Sequence, residues 1–221
     1  MDDRILYHGS RGGIDGKIQP ISRTRCDFGK GFYMGENAEQ VQSLVVEDAV
    51  PVFYTVKFRL SEIPEDKILV VNNQDWLNII LANRKKSEEF NKLSFTKKLL
   101  KQLDKYDVII GPIADDRMNE ALIRFNNYAL TDKGLYACLK SVDYGNQFVA
   151  KTSFACSKID IISERNIDEQ EVEYLRKYTE TKRAASRDVV FNNIIKYQRD
   201  GLYLNELINK YKKKEKEEYE R

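Results

Sequence analysis

From Val52 to Leu60 the chain alternates, with Val52, Tyr54, Val56, Phe58 and Leu60 on one side and Phe53, Thr55, Lys57 and Arg59 on the other. A period of two is the mark of a β-strand. Apolar residues on both sides of its first half predict a strand central enough to bury parts of both faces. A chain built around such a strand needs further strands beside it and other elements packed on it.

Those elements are legible on either side. Ile5-Leu6-Tyr7 reads as a short buried strand ending at His8, and residues 9–30, rich in Gly, Arg and Ser, read as loop. Glu36 to Val46 has helical spacing through Ala38, Val41, Leu44 and Val45. Lys67 to Val71 is a short strand after a turn at Pro64. Residues 74–104 change character: Trp76, Leu77, Ile79, Ile80 and Leu81 suit one helix, and Phe95, Leu99, Leu100 and Leu103 another. Asp107 to Pro112 is a strand stopped by Gly-Pro. Asp115 or Asp116 is expected to cap a helix over 117–128, and Asp132 a second one through Leu139. Gln147 to Thr152 and Ile159 to Ile162 are strands joined by a helical Ser153 to Lys158. From Asp168 onward the chain is helical and charged. Strands interrupted irregularly by helices predict an α+β fold: a main domain over 1–165 with a helical insert at about 72–105, then a helical extension over 166–221.

Composition narrows the function classes. Lysine and arginine total 37 against 35 acidic residues, a net charge of +2, so no bulk electrostatic case for nucleic-acid binding exists. No apolar run reaches the roughly 18 residues of a membrane span. Met1-Asp2-Asp3-Arg4 lacks the basic and apolar regions of a signal peptide. Cys26, Cys138 and Cys156 are scattered, with no metal-ligand spacing. A cytoplasmic protein without a metal is the expectation.

The chain has one histidine, His8, inside Leu6-Tyr7-His8-Gly9-Ser10-Arg11. Downstream comes Asp27-Phe28-Gly29-Lys30-Gly31-Phe32-Tyr33. Then follow Gly111-Pro112-Ile113-Ala114-Asp115-Asp116 and Asn146-Gln147. Each block alone is weak, but the four in this order are fairly specific. They resemble the ADP-ribosyltransferase superfamily, in its His-Tyr-Glu branch of poly(ADP-ribose) polymerases and diphtheria-type toxins. Within it they look most like a bacterial family of domains of unknown function (DUF3990-like). The resemblance covers roughly the first three quarters of the chain.

What the resemblance implies is a split antiparallel sheet with NAD as co-substrate in the cleft between its halves. His8 would hydrogen-bond the adenosine-side ribose, the Gly9 backbone would hold the nicotinamide amide, and Tyr33 would stack on the nicotinamide ring. Ser10 and Arg11 fall in the first block and Lys30 in the second, with Arg11 and Lys30 placed for the pyrophosphate. An imidazole offers a donor and an acceptor in one plane, and a phenol ring offers a π face to a pyridinium, so the residue types suit the roles.

The sequence departs from the branch at its third position. Where a Glu is expected at the start of a late strand, this chain has Gln147. A neutral amide can bond a ribose hydroxyl but cannot serve as a base. Asp115 and Asp116 are candidates for a compensating acid, with helix capping as their other reading. Three functions stay open: mono-ADP-ribosyl transfer to a macromolecule, either protein or nucleic acid; NAD glycohydrolysis; and a non-catalytic NAD-binding or interaction module. The superfamily also carries the expectation of a toxin or phage-defence effector held by an antitoxin. The apolar stripes of the C-terminal helices, from Val190 to Tyr211, either pack on the domain or form that partner surface.

Overall fold

A computed structural model describes the chain except residues 23, 24, 48, 49, 72, 85, 86, 115–118, 142–144, 220 and 221. Seven strands form one sheet in the order β4-β5-β6-β2-β1-β3-β7. They are β1 (Arg4–Ser10), β2 (Phe32–Gly35), β3 (Val52–Phe58), β4 (Ile68–Val70), β5 (Val108–Pro112), β6 (Asn146–Ala150) and β7 (Ile159–Asn166). All pairings are antiparallel except β4 with β5. With nine α-helices among the described residues, the fold is α+β.

β3 does lie inside the sheet, between β1 and β7. Its two faces are buried against different cores. Tyr54, Val56 and Phe58 join Leu6, Phe32, Met34, Val108, Ile110 and Phe148 on one face. Phe53 joins Tyr7, Val41 and Val45 on the other. On the β4-β5-β6-β2 half that second face carries the largest core, built on Ile109 and Val149 with the insert helices.

Those helices are α2 (Asn73–Arg84), α3 (Glu88–Lys92) and α4 (Ser94–Leu103). Trp76, Leu77, Ile79 and Ile80 of α2 are almost wholly buried, each worth roughly 1.5–3 kcal/mol of apolar transfer. The C-terminal helices α8 (Glu169–Tyr197) and α9 (Leu204–Tyr219) pack into the same core through Val190, Leu204, Leu207 and Ile208. The Tyr211 ring stacks on Phe95 with centroids 4.1 Å apart. Of the stripe residues Val190, Ile194, Ile195, Tyr197, Leu202, Leu204, Leu207, Ile208 and Tyr211, Ile195 is exposed and the rest are buried or half-buried.

Two local expectations need correction. β1 does not end at His8: it runs on through Gly9 and Ser10, which pair with Phe53 and Val52 of β3. Pairing to a strongly strand-forming neighbour overrides the weak preference of a Gly-Ser pair. Asp132 does not cap the helix α6 (Asp132–Leu139). Thr131 does, its hydroxyl accepting from the Gly134 amide at 3.2 Å. Asp132 Oδ1 instead accepts from the Leu202 amide at 2.7 Å, tying α6 to the start of α9.

Candidate functional site at the gap in the sheet

The two halves of the sheet meet at one registered pair among the described residues, Tyr7 opposite Gly35. β1 continues to Ser10 along β3, and β2 reaches back to Phe32 along β6, but the two do not pair further. His8 spans this gap. Its Nδ1 lies 2.7 Å from the Tyr33 carbonyl oxygen. A carbonyl only accepts, so Nδ1 carries the proton and Nε2 is left as an acceptor. No partner for Nε2 occurs among the described residues. The ring stacks on Phe32, centroids 4.1 Å apart. Burial pulls its pKa below the ordinary value, against the smaller opposing effect of the Tyr33 bond.

Helix α1 (Ala38–Ser43), capped by Asn37, covers one face of the gap. A Cβ on Gly9 would stand 3.0 Å from Val45 Cγ1, and one on Gly35 2.8 Å from Val41 Cγ2. Both glycines are there because this segment lies directly on the strands. Close approach at Gly9 is thus made by the protein's own helix.

Strand alternation places His8 with Leu6 and Tyr54 on one face of the sheet, and Tyr33 with Val149 on the other. The His8 ring and the Tyr33 ring therefore leave on opposite faces, and the main chain of Tyr33 joins them. The Tyr33 hydroxyl donates to the Gly29 carbonyl at 2.7 Å and accepts from the Phe28 amide at 3.0 Å. It clamps the loop Asp27–Gly31 onto β2. Burial among apolar neighbours, and the negative charge of Asp27 nearby, raise its pKa well above 10. The loop needs its glycines: Gly29 has φ +77°, and a Cβ on Gly31 would meet Val149 Cγ1 at 2.4 Å.

Gln147 shares the face of Tyr33 and is buried. Its Nε2 donates to Asp27 Oδ2 at 2.8 Å and to the Pro112 carbonyl at 3.0 Å. Trp76 Nε1 donates to the same carbonyl at 2.8 Å. Asp27 is the hub of this cluster. Its Oδ1 accepts from Arg84 Nε at 2.8 Å and pairs with Nη2 at 2.7 Å. Its Oδ2 also accepts from the Ala114 amide at 3.3 Å, and its main-chain oxygen accepts from Asn83 Nδ2 at 3.0 Å. Lys151 Nζ donates to the Phe28 carbonyl at 2.5 Å, its pKa lowered by burial.

The gap thus has His8 on one face of the sheet and Tyr33 and Gln147 on the other, with the main chain of Tyr33 as the link between them. Ser10 Oγ donates to the Gly13 carbonyl at 2.7 Å and shapes the turn after β1. Arg11 is exposed on that turn, and Lys30 on the clamped loop. Asp115 and Asp116, with Arg117, lie outside the described residues, immediately after Ala114.

Sequence reasoning passed over Asp27, Asn83, Arg84 and Trp76. Asp27 opened a block already singled out, but its role depends on an arginine 57 positions away. The signal for Arg84 was its place one turn after Ile80 on an apolar helix face. Glu36 was also missed: its Oε2 accepts from the Asn146 amide at 2.8 Å, fixing the start of β6 beside Gln147.

Among the described residues, no group of three or more His, Cys, Asp or Glu is placed to hold a metal, and no helix is long and apolar enough to cross a membrane. A family model described as a protein of unknown function (DUF3990) matches residues 4–161. No curated protein and no solved structure matches the chain.

Proposed function

The chain belongs to this DUF3990 family, and from that premise we propose that it is an NAD-dependent mono-ADP-ribosyltransferase of the His-Tyr-Glu type acting on a macromolecule. The observation that carries the reading is the gap between β1 and β2, with His8 Nδ1 bound to the Tyr33 carbonyl and Nε2 left as an acceptor. A lone neutral imidazole held this way suits a ribose hydroxyl. The main chain of Gly9, which has no β2 partner, suits the nicotinamide amide. Arg11 and Lys30 are exposed on the two flanking loops, where a pyrophosphate would find them.

In the transfer, the bond from nicotinamide to the ribose C1′ breaks and a bond from C1′ to the acceptor forms. Nicotinamide leaves with the bonding pair, and the acceptor's proton goes to solvent. Positive charge develops on the ribose as the first bond weakens. Gln147 Oε1 offers a dipole to that ribose, where a carboxylate would offer full charge. This favours slow turnover. It also gives ground to a second reading, in which water is the acceptor and the protein is an NAD glycohydrolase.

Labelled NAD incubated with the protein and a cell lysate tests the proposal. Label on a macromolecule, lost on His8→Ala, is the expected result. Nicotinamide release without transferred label selects the glycohydrolase, and binding without release selects a non-catalytic module. As a cellular role we propose a toxin or defence effector restrained by a partner. Growth arrest on expression, relieved by His8→Ala, is its sign, and unimpaired growth at high expression contradicts it.

A further inference from the structure

Among the described residues, the carboxylate bonded to Gln147 comes from the loop before β2, not from the strand that carries Gln147. We propose that Asp27, gripped by Arg84, is a positioning residue that decides which end of the Gln147 amide faces the site. Oε1 is then offered to the nicotinamide ribose, in deepening of the NAD reading above.

The argument is one of donors and acceptors. Gln147 Nε2 faces two oxygens, Asp27 Oδ2 at 2.8 Å and the Pro112 carbonyl at 3.0 Å. Both only accept. A reversed amide would set its oxygen against both, acceptor to acceptor, and remove one of the two donors that each oxygen has, the others being the Ala114 amide and Trp76 Nε1, so Nε2 must point inward. Oε1 then points away from them, and it has no partner among the described residues. Asp27 is itself fixed: Arg84 occupies Oδ1 with Nε at 2.8 Å and Nη2 at 2.7 Å, which leaves Oδ2 to Gln147 and the Ala114 amide.

The same geometry accounts for the residue type at 147. A carboxylate there would face Asp27 and the Pro112 carbonyl with nothing to donate. Given Asp27 in the loop, an amide is what lets position 147 present one outward acceptor. The negative charge stands one residue back, behind the group that touches the ribose.

Asp27→Asn separates positioning from mere structure. Arg84 requires an oxygen on its side, so the new amide turns its NH2 toward Gln147; Gln147 reverses to accept from it, shows Nε2 to the site and leaves the Pro112 carbonyl to Trp76 Nε1. A second change, Gln147→Glu, then restores an outward oxygen, because the inner one accepts from that NH2. Nicotinamide release from NAD is measured for wild type, Asp27→Asn and Asp27→Asn/Gln147→Glu. Exchange of the Gln147 side-chain amide protons is read by NMR in the first two. The expected kcat falls about 10²-fold in the single variant, with KM for NAD held within about threefold, and the double variant recovers to within about tenfold of wild type. Amide protons protected in wild type become labile in Asp27→Asn. If the single variant fails to fold, a folded double variant is the same rescue.

A single variant with full kcat, or a double variant that is unfolded or inactive, overturns the proposal. If wild type releases no nicotinamide, the NAD reading falls by itself and the amide signal decides. Protection lost in Asp27→Asn then supports positioning by Asp27, and equal protection in both proteins overturns it.

Discussion

His8 Nδ1 donates to the main-chain oxygen of Tyr33 at 2.7 Å, across the one junction between the two halves of the sheet. A side chain takes the place of a backbone ladder there. Beyond Tyr7 and Gly35 the strands have no further registered partner in each other, and the imidazole edge opposite this bond is left without a protein partner among the described residues. Both consequences can be measured.

As the only histidine, His8 gives one Hε1 resonance. Burial holds its pKa below 6.5 in the fold, whereas the unfolded chain takes up the proton near 6.5. Between those values the unfolded state binds more protons, so stability is complete above about pH 6.5 and is lost as pH falls toward the folded value. The Hε1 midpoint is expected below 6.5. His8→Asn should flatten the stability curve below about pH 6.5. A midpoint at or above 6.5 contradicts the assigned burial.

Asp27 and Arg84 are side chains 8% and 10% exposed in one ion pair. Removing either leaves the other charge buried. Asp27→Ala and Arg84→Ala should each cost about 3–5 kcal/mol in denaturant unfolding, and the double variant less than their sum. Additive losses would mean that the pair does not act as a unit.

Glycine tolerance should follow the packing of the loop. In Gly31→Ala the added methyl meets Val149 Cγ1 at 2.4 Å and the Ala150 carbonyl at 3.0 Å. A cost of about 1–3 kcal/mol is expected. At Gly12 nothing lies within 4 Å, and Gly12→Ala should stay within about 0.5 kcal/mol of wild type. Thermal unfolding of the two variants checks the contrast.

Tyr33→Phe removes the clamp on Phe28 and Gly29. About 1–3 kcal/mol should be lost, and the amides of Phe28 to Gly31 should exchange faster with deuterium. An unchanged exchange rate would show that the hydroxyl does not hold the loop.

Strands with a strong period were readable from sequence, and β3 is the clearest: its alternation stated both that it lies inside the sheet and that both faces are covered. Continuation of β1 through Gly9 and Ser10 was not readable, because it depends on Val52 and Phe53 across the sheet. The capping role expected of Asp132 failed for a similar reason: its Oδ1 is taken by the Leu202 amide, 70 positions away. His8 and Tyr33 were singled out by their motifs, and the structure joins them by one hydrogen bond. Asp27 and Arg84 were not, since an ion pair between a loop and an inserted helix leaves no local spacing. Gln147 was visible as a departure from a pattern. Its bonds to Asp27 and Pro112 were not visible, since those partners lie 120 and 35 positions away.

The most direct measurement of the central claim uses the lone imidazole as its own reporter. NAD is titrated into the folded protein while the His8 ring resonances are followed by NMR. Ligand held at Nε2 in the sheet gap should give a saturable shift of that single set of signals. No shift at millimolar NAD, with the protein still folded, would contradict it.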